Sequence, residues 1–211
     1  IGLYLMVADN EAGAEIFSAA TKRDQAKITH DEAINMVRQS PALSKRISIQ
    51  RDKLFIPNTA TKFIPLGKDS KTMDGLNVHG AIVDELHAHP DSSVWGNLIT
   101  ATAAREQPLI FAITTAGENL ESFCHEFRTY IEQILNKDAD DDSTFGIIFS
   151  LDDDDDWTDD TVWIKANPNL GVTVDIDSLR DFAERAKHVQ TEQNNFKTKH
   201  LNLWVTSLHG W

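Results

Sequence analysis

The chain has 211 residues, 41% of them apolar, and a formal charge of -13. That is enough material to bury a core in one or two domains, and too acidic for a surface wholly devoted to nucleic acid, which needs clustered Lys and Arg. No apolar run approaches the roughly 20 residues that cross a bilayer, and the single cysteine, Cys124, excludes a disulfide framework and favours a reducing compartment.

In chain order, Ile1 to Ala8 is apolar without a basic start, too short for a signal peptide. It reads as the tail of a helix that begins upstream. Ala14 to Ala20 reads as a short buried strand. Thr21, with Asp24 three residues on, is the expected N-cap of a helix running to Gln39, where Ser40-Pro41 stops it. Ile47–Ile49, Lys53–Ile56 and Lys62–Leu66 read as a meander or hairpin set between core strands, and Lys68 to Asn77 as a loop. Val78 to Asp84 is a strand, and Ser92 or Ser93 caps a helix to about Ala104. Pro108 to Thr114 is nearly all apolar, the pattern of a parallel strand buried on both faces. Glu118 to Asn136 carries Leu120, Phe123, Phe127, Tyr130, Ile131, Ile134 and Leu135 on one helical stripe. Phe145 to Phe149 reads as a further buried strand. Beyond Asp156 the pattern turns helical: a short helix from Trp157, then Asp175–His188 and Thr191–Leu201. Trp204 and Trp211 so close to the end suggest a chain cut before its next element. Strands alternating with helices predict an α/β fold, a mostly parallel sheet flanked by helices.

The chemistry concentrates in Gly80-Ala81-Ile82-Val83-Asp84-Glu85-Leu86-His87. An apolar strand that ends in two carboxylates is how a P-loop ATPase terminates the strand facing its nucleotide. The first acid holds Mg2+ and the second polarises the attacking water. The phosphate-binding G-x-x-x-x-G-K-[ST] loop occurs nowhere in the sequence; Gly67-Lys68 imitates it, but Asp69 replaces the hydroxyl and position 62 is Lys. The next strand ends in Thr114-Thr115-Ala116-Gly117, where open α/β sheets bind ligands. A Thr hydroxyl there reaches a γ-phosphate or its water; helix capping is the plainer alternative. Arg105, Lys68 and Lys71 are placed to reach a phosphate, and Arg105 also fits an arginine finger or an ordinary helix-terminal cation. Thr21, Lys22 and Arg23 follow the first strand and are candidates for contact with nucleotide or DNA, with surface solvation as the default.

In an extended segment Glu85, His87 and His89 share one face, which admits a Zn2+-type site; Pro90 argues against it. The acidic runs at 138–142 and 152–156 read as solvated loops, since they lack EF-hand spacing.

Three blocks, Ala14–Ala26, Gly75–His89 and Gln107–Gly117, with Asn167-Pro168-Asn169-Leu170-Gly171 and Asn202-Leu203-Trp204, resemble the large terminase subunit of tailed bacteriophages and prophages over almost the whole chain. The resemblance implies an ASCE-type P-loop ATPase of a DNA-packaging motor, with ATP and Mg2+ as cofactors. It makes Asp84 the Walker B ligand and Glu85 the catalytic glutamate, and it puts Thr114 and Thr115 in the coupling motif. It implies double-stranded DNA, a portal protein, a small terminase subunit and a homo-oligomeric ring as partners, no membrane, and action in the host bacterial cytoplasm. It places the phosphate loop upstream of Ile1 and an RNase H-like nuclease beyond Trp211. Residues 1–156 are then a partial ATPase domain and 157–211 a helical linker toward that nuclease. A D-E-x-H helicase-like ATPase, a His/Glu metal-dependent hydrolase and an inactive interaction module are the alternatives.

Overall fold

The computed structural model of the protein describes residues 1–67 and 75–206. Lys68 and Lys71, the Gly67-Lys68 imitation beyond Gly67, and Trp211 therefore lie outside the described residues. The chain forms two compact units, the first Ile1–Thr114 and the second from Thr115 onward.

The first unit is built on a six-stranded sheet in the order β2-β3-β4-β1-β5-β6. Its elements are α1 (Gly2–Val7), β1 (Glu15–Ala20), α2 (Arg23–Gln39), the single turn α3 (Pro41–Ser44), β2 (Ser48–Gln50), β3 (Lys53–Ile56), β4 (Thr61–Gly67), β5 (Val78–Asp84), α4 (Ser93–Thr100) and β6 (Leu109–Ile113). β1 runs parallel to both β4 and β5, and β5 parallel to β6, whereas β2, β3 and β4 pair antiparallel. The short β-like pieces thus extend one flank of the sheet, and β4 itself becomes a core strand.

β1 and β4 are buried almost throughout because helices and strands cover them on every side. Ile16, Leu54 and Phe63 are fully enclosed, each contributing about 1.5–3 kcal/mol by leaving water. Gly80 lets α1 approach β5 closely, since a Cβ there would force the end of the Leu5 side chain to shift. α2 packs over β4 and β1, and its buried His30 stands edge-on to the Phe63 ring, with Nε2 3.1 Å from the Phe63 carbonyl oxygen. Its N-cap is Lys22 without a side-chain cap, and Thr21 instead bonds Gln25, so the expected Thr21 cap does not form. Arg23 pairs with Asp52 at 3.1 Å.

β6 departs from expectation. It is the last strand of the sheet, and Leu109 and Ile113 are 41% and 51% exposed, so its apolar run is not enclosed on both faces.

At the amino edge of the sheet, charged groups tie the strand entries together. Arg105, just ahead of β6, has its side chain only 6% exposed. Its guanidinium donates to Asn77 Oδ1 (2.9 Å), Glu11 Oε2 (3.1 Å), the Ala12 carbonyl (3.0 Å) and the Gly13 carbonyl (2.6 Å). The Glu11 carboxyl is held below the usual range by the Arg105 hydrogen bond first, despite some opposition from desolvation. Buried His79 pairs with Asp9, and Glu15 pairs with Lys62 at 2.7 Å.

The second unit contains α5 (Phe123–Leu135), a 3-10 turn at Trp163–Lys165, α6 (Ile176–Ala186) and α7 (Gln190–Lys199). α5 begins at Phe123, after its Ser122 cap, five residues past the expected start at Glu118. The helix expected from Trp157 is reduced to the 3-10 turn. Trp163, Phe196, Leu201, Leu179 and Leu151 form the core, and Trp163 Nε1 donates to the Trp157 carbonyl. Residues 145–149 form no strand. Phe145, Ile147 and Phe149 are 88%, 63% and 42% exposed, while Gly146 lies against Ile131 of α5. The period-two pattern survives, but among the described residues no strand supplies the ladder it needs. This unit starts well before the compositional change at 156/157 because Asn202 stitches its ends together: its side chain accepts from the Ala116 amide and donates to the Phe149 carbonyl, and the Trp204 ring stands against His125.

Two outcomes follow. Desolvation holds His30 below the ordinary histidine value against the opposing Phe63 bond, and desolvation alone lowers His200. Below an unfolded value of about 6.5 the unfolded chain takes up protons that the folded chain refuses. Stability is therefore expected to fall as pH drops from about 7 to 5, and His30→Gln to flatten that slope in denaturant titrations at the two pH values. Arg105→Lys cannot reproduce the fork that binds four oxygens. It is expected to lower the melting temperature, by about 2–4 °C for each kcal/mol lost in a chain of this size, in a thermal scan.

Candidate functional site

Because β1, β5 and β6 run parallel, they all exit at one edge of the sheet. Val83 is level with Ala19 of β1, and Asp84 with Ile113 of β6. The residues that follow, Glu85 and Thr114, therefore leave neighbouring strands side by side, at the carboxyl edge where open α/β sheets take ligands.

Asp84 is half-buried, and its Oδ1 accepts the Glu85 amide at 3.0 Å. Glu85 takes a left-handed backbone conformation (φ 53°, ψ 51°), uncommon for a residue with a Cβ. That reversal lets Leu86–Ala88 coil into a 3-10 turn, with the Ala88 amide donating to the Glu85 carbonyl at 2.9 Å. The turn buries Leu86 and brings His87 back over the strand ends. The Glu85 side chain remains 53% exposed, with Oε2 3.1 Å from His87 Nδ1. The same Nδ1 is 3.0 Å from Thr114 Oγ1, which also accepts the His87 amide at 3.0 Å. A carboxylate, an imidazole and a hydroxyl thus form one connected group beside Asp84.

Of the residues singled out in the sequence, Asp84, Glu85 and Thr114 come together. Thr115 opens the second unit, where Lys199 Nζ donates to its hydroxyl at 3.4 Å. Arg105 does not join them. It sits at the opposite, amino edge, a strand length of about 20 Å away, and its guanidinium is committed to the oxygens described above. Its expected catalytic role is corrected to a structural one. Lys22 lies exposed at the exit of β1, and Arg23 is engaged by Asp52.

The alternative metal site dissolves with the extended geometry it needed. The 3-10 turn between Glu85 and His89 breaks the shared face, His89 is buried, and among the described residues no group of three His, Cys, Asp or Glu is arranged to hold a metal. The described part of the acidic runs is used locally: Lys165 bridges Asp152 and Asp155 at 2.6 and 2.8 Å, and Asp141 accepts from Ser143 and Tyr130. His87 as the link between the acid and the hydroxyl was visible in the sequence only as the last letter of D-E-x-H; the left-handed turn that positions it left no signal there. Among the described residues, no helix is long and apolar enough to cross a membrane.

Residues 1–133 match the family described as the terminase large subunit ATPase domain, and residues 138–211 match the terminase large subunit endonuclease domain. The second match begins inside the chain, whereas the sequence reading expected nuclease only beyond Trp211. Protein YmfN of Escherichia coli K12 is 45% identical over 134 residues, covering 64% of this chain and 30% of that protein. The terminase large subunit of Enterobacteria phage HK97 is 26% identical over 209 residues, covering 97% of this chain and 40% of that protein. The crystal structure of the HK97 large terminase superposes with a TM-score of 0.82 at 25% identity, over 95% of this chain and 42% of that one. A large terminase of a thermophilic bacteriophage, solved with ADP, shares the fold at a TM-score of 0.56 and 13% identity, over 96% of this chain and 44% of that one. The chain spans less than half the length of these relatives. Its mostly parallel sheet flanked by helices is the P-loop, ASCE-like architecture of terminase ATPases, and the chain belongs to the terminase large subunit family.

Proposed function

We propose that this chain supplies the hydrolytic edge of a DNA-packaging ATPase, in which Asp84 and Glu85 act on the triphosphate end of ATP. The observation that carries the reading is the emergence of these two acids from a parallel strand at the sheet's carboxyl edge, beside the Thr114 hydroxyl. Asp84 fits Mg2+: it is a hard oxygen donor held in place by the Glu85 amide, half-buried at a strand end. When bound there, Mg2+ neutralises charge on the phosphates. Glu85, more exposed and reaching past the strand end, orients and polarises the attacking water. Thr114 and Thr115 sense the γ-phosphate and relay its state. This is positioning with electrostatic stabilisation, and no covalent intermediate is required.

In the intact protein we assign the work to moving double-stranded DNA into a procapsid in the host bacterial cytoplasm. The chain would act there in a homo-oligomeric ring with the portal protein and the small terminase subunit, and an endonuclease activity would complete it. We place the ATPase portion at residues 1–133 and the start of the nuclease portion from residue 138 onward. The trans-acting cation is not Arg105, whose fork is occupied.

Glu85→Gln in the intact protein is expected to cut ATP turnover by roughly a hundredfold or more while nucleotide affinity is kept, as measured by steady-state hydrolysis and equilibrium binding. An unchanged rate refutes the assignment. The same position tests its backbone. Glu85→Gly should be more stable than Glu85→Ala by about 1 kcal/mol in denaturant unfolding, because glycine adopts the left-handed region without strain.

A further inference from the structure

We infer that Asn202 is a positioning residue for the coupling motif: its side chain fixes the peptide that joins Thr115 to Ala116, and with it the stance of the Thr115 hydroxyl. The inference rests on the reading of Thr115 as a sensor of the γ-phosphate. Two stretches of sequence that the proposed chemistry leaves idle, 167–171 and 202–204, supply the support.

Thr115, Ala116 and Gly117 are held one after another by the end of α7 and the chain leaving it. Lys199 Nζ donates to the Thr115 hydroxyl at 3.4 Å, the Ala116 amide donates to Asn202 Oδ1 at 2.6 Å, and the Val205 amide donates to the Gly117 carbonyl at 3.4 Å. The middle bond is the short one. Ala116 and Gly117 are buried, and a buried amide deprived of its acceptor carries its full desolvation cost. The Thr115–Ala116 peptide is planar, so a bond on its N–H restrains rotation at Thr115 itself. The Thr115 side chain branches at Cβ and has few rotamers, so restraining its backbone restrains its hydroxyl.

Asparagine suits this position on two counts. Its backbone is left-handed, with φ 55°, which Asn tolerates better than most residues that carry a Cβ. Its side chain is both acceptor and donor, and it is used as both, since Nδ2 donates to the Phe149 carbonyl at 2.8 Å. Both neighbours are backbone groups of fixed role, so the orientation of the amide is determined. The Asn202 carbonyl accepts from Ser150 Oγ at 3.0 Å. The turn that presents Asn202 is braced in its own right: Asn167 Nδ2 donates to the Trp163 and His200 carbonyls at 3.1 and 2.8 Å, and the Leu203 amide donates to the Lys197 carbonyl at 2.9 Å. Glycine at 202 would keep the backbone and lose both side-chain bonds.

Steady-state hydrolysis by the intact protein tests this with a double-substitution cycle. Asn202→Gly, which retains the left-handed turn without strain, is expected to lower kcat roughly threefold to tenfold, the worth of one hydrogen bond, with KM for ATP unchanged. Added to Thr115→Val it should cost little more, because a residue that acts through another has little left to lose once that other is gone. Ser150→Ala removes a bond to Asn202 but none to Ala116, and should leave kcat as it was. Hydrogen exchange in the same proteins should show the Ala116 amide losing protection in Asn202→Gly and keeping it in Ser150→Ala. Losses that multiply in the double variant, an unimpaired Asn202→Gly, equal losses in Asn202→Gly and Ser150→Ala, or unchanged exchange at Ala116 each overturn the inference. An unimpaired Thr115→Val, with exchange at Ala116 shifted as expected, overturns the reading of Thr115 instead and leaves Asn202 as a support of the fold alone.

Discussion

The parallel pairing of β4, β1, β5 and β6 is the constraint on which the site depends. In a parallel set every chain enters at one edge and leaves at the other, so side chains far apart in sequence meet only where strands end. Asp84 and Thr114 are thirty positions apart, yet register places Asp84 level with Ile113. A slip of one residue would reverse the facing of every side chain on β5. Val78 and Val83, on opposite faces of β5, are both fully buried, so the slip would also move each into space packed for another side chain. The register that packs the core is therefore also what aims the acids.

The two edges of this sheet use their polar groups in opposite ways. At the amino edge Arg105 pairs with Glu11, His79 with Asp9 and Glu15 with Lys62, while the other ring nitrogen of His79, Nδ1, is buried without a partner. Removing one partner there leaves a desolvated charge, which makes the edge rigid. At the carboxyl edge Glu85 is half-exposed and shares its partner with Thr114. A carboxylate that exposed costs the fold little. The contrast explains why Arg105, a cation of the right kind at the start of the right strand, cannot take part: the strand that ends at the site carries Arg105 on its far side.

Much of this was legible in the sequence, for definite physical reasons. Val78 to Asp84 is a compact apolar run closed by charge, and its observed bounds agree to the residue. The acids and Thr114 could be matched because strand ends are where apolar runs stop. β6 and Phe145–Phe149 show the limit. Their apolar residues reveal a preference for strand but say nothing about which neighbour supplies the hydrogen-bonding edge, and burial depends on that neighbour. α5 began late because Ser122, not the acidic stretch before it, offers the hydroxyl that accepts the His125 amide. Arg105 was misjudged because sequence reveals a cation's type but not the four oxygens that converge on it from segments up to 94 positions away. Glu85's left-handed backbone had no signal at all, since glycine or asparagine is the usual marker of such a position.

That backbone ties the site's geometry to its chemistry. A left-handed residue with a Cβ persists only where its surroundings over-determine it. Here three bonds do so: Asp84 Oδ1 holds the Glu85 amide, the Ala88 amide holds the Glu85 carbonyl, and His87 Nδ1 lies against the Glu85 carboxylate. Two of these act on the backbone and one on the side chain. Releasing the side chain from His87 therefore leaves the strained turn intact, and the acid can move while its anchor does not. An arrangement with glycine at this position would relax the backbone but surrender the carboxylate. The strain is thus the cost of placing an acid where the chain must reverse, immediately after the residue suited to hold a cation.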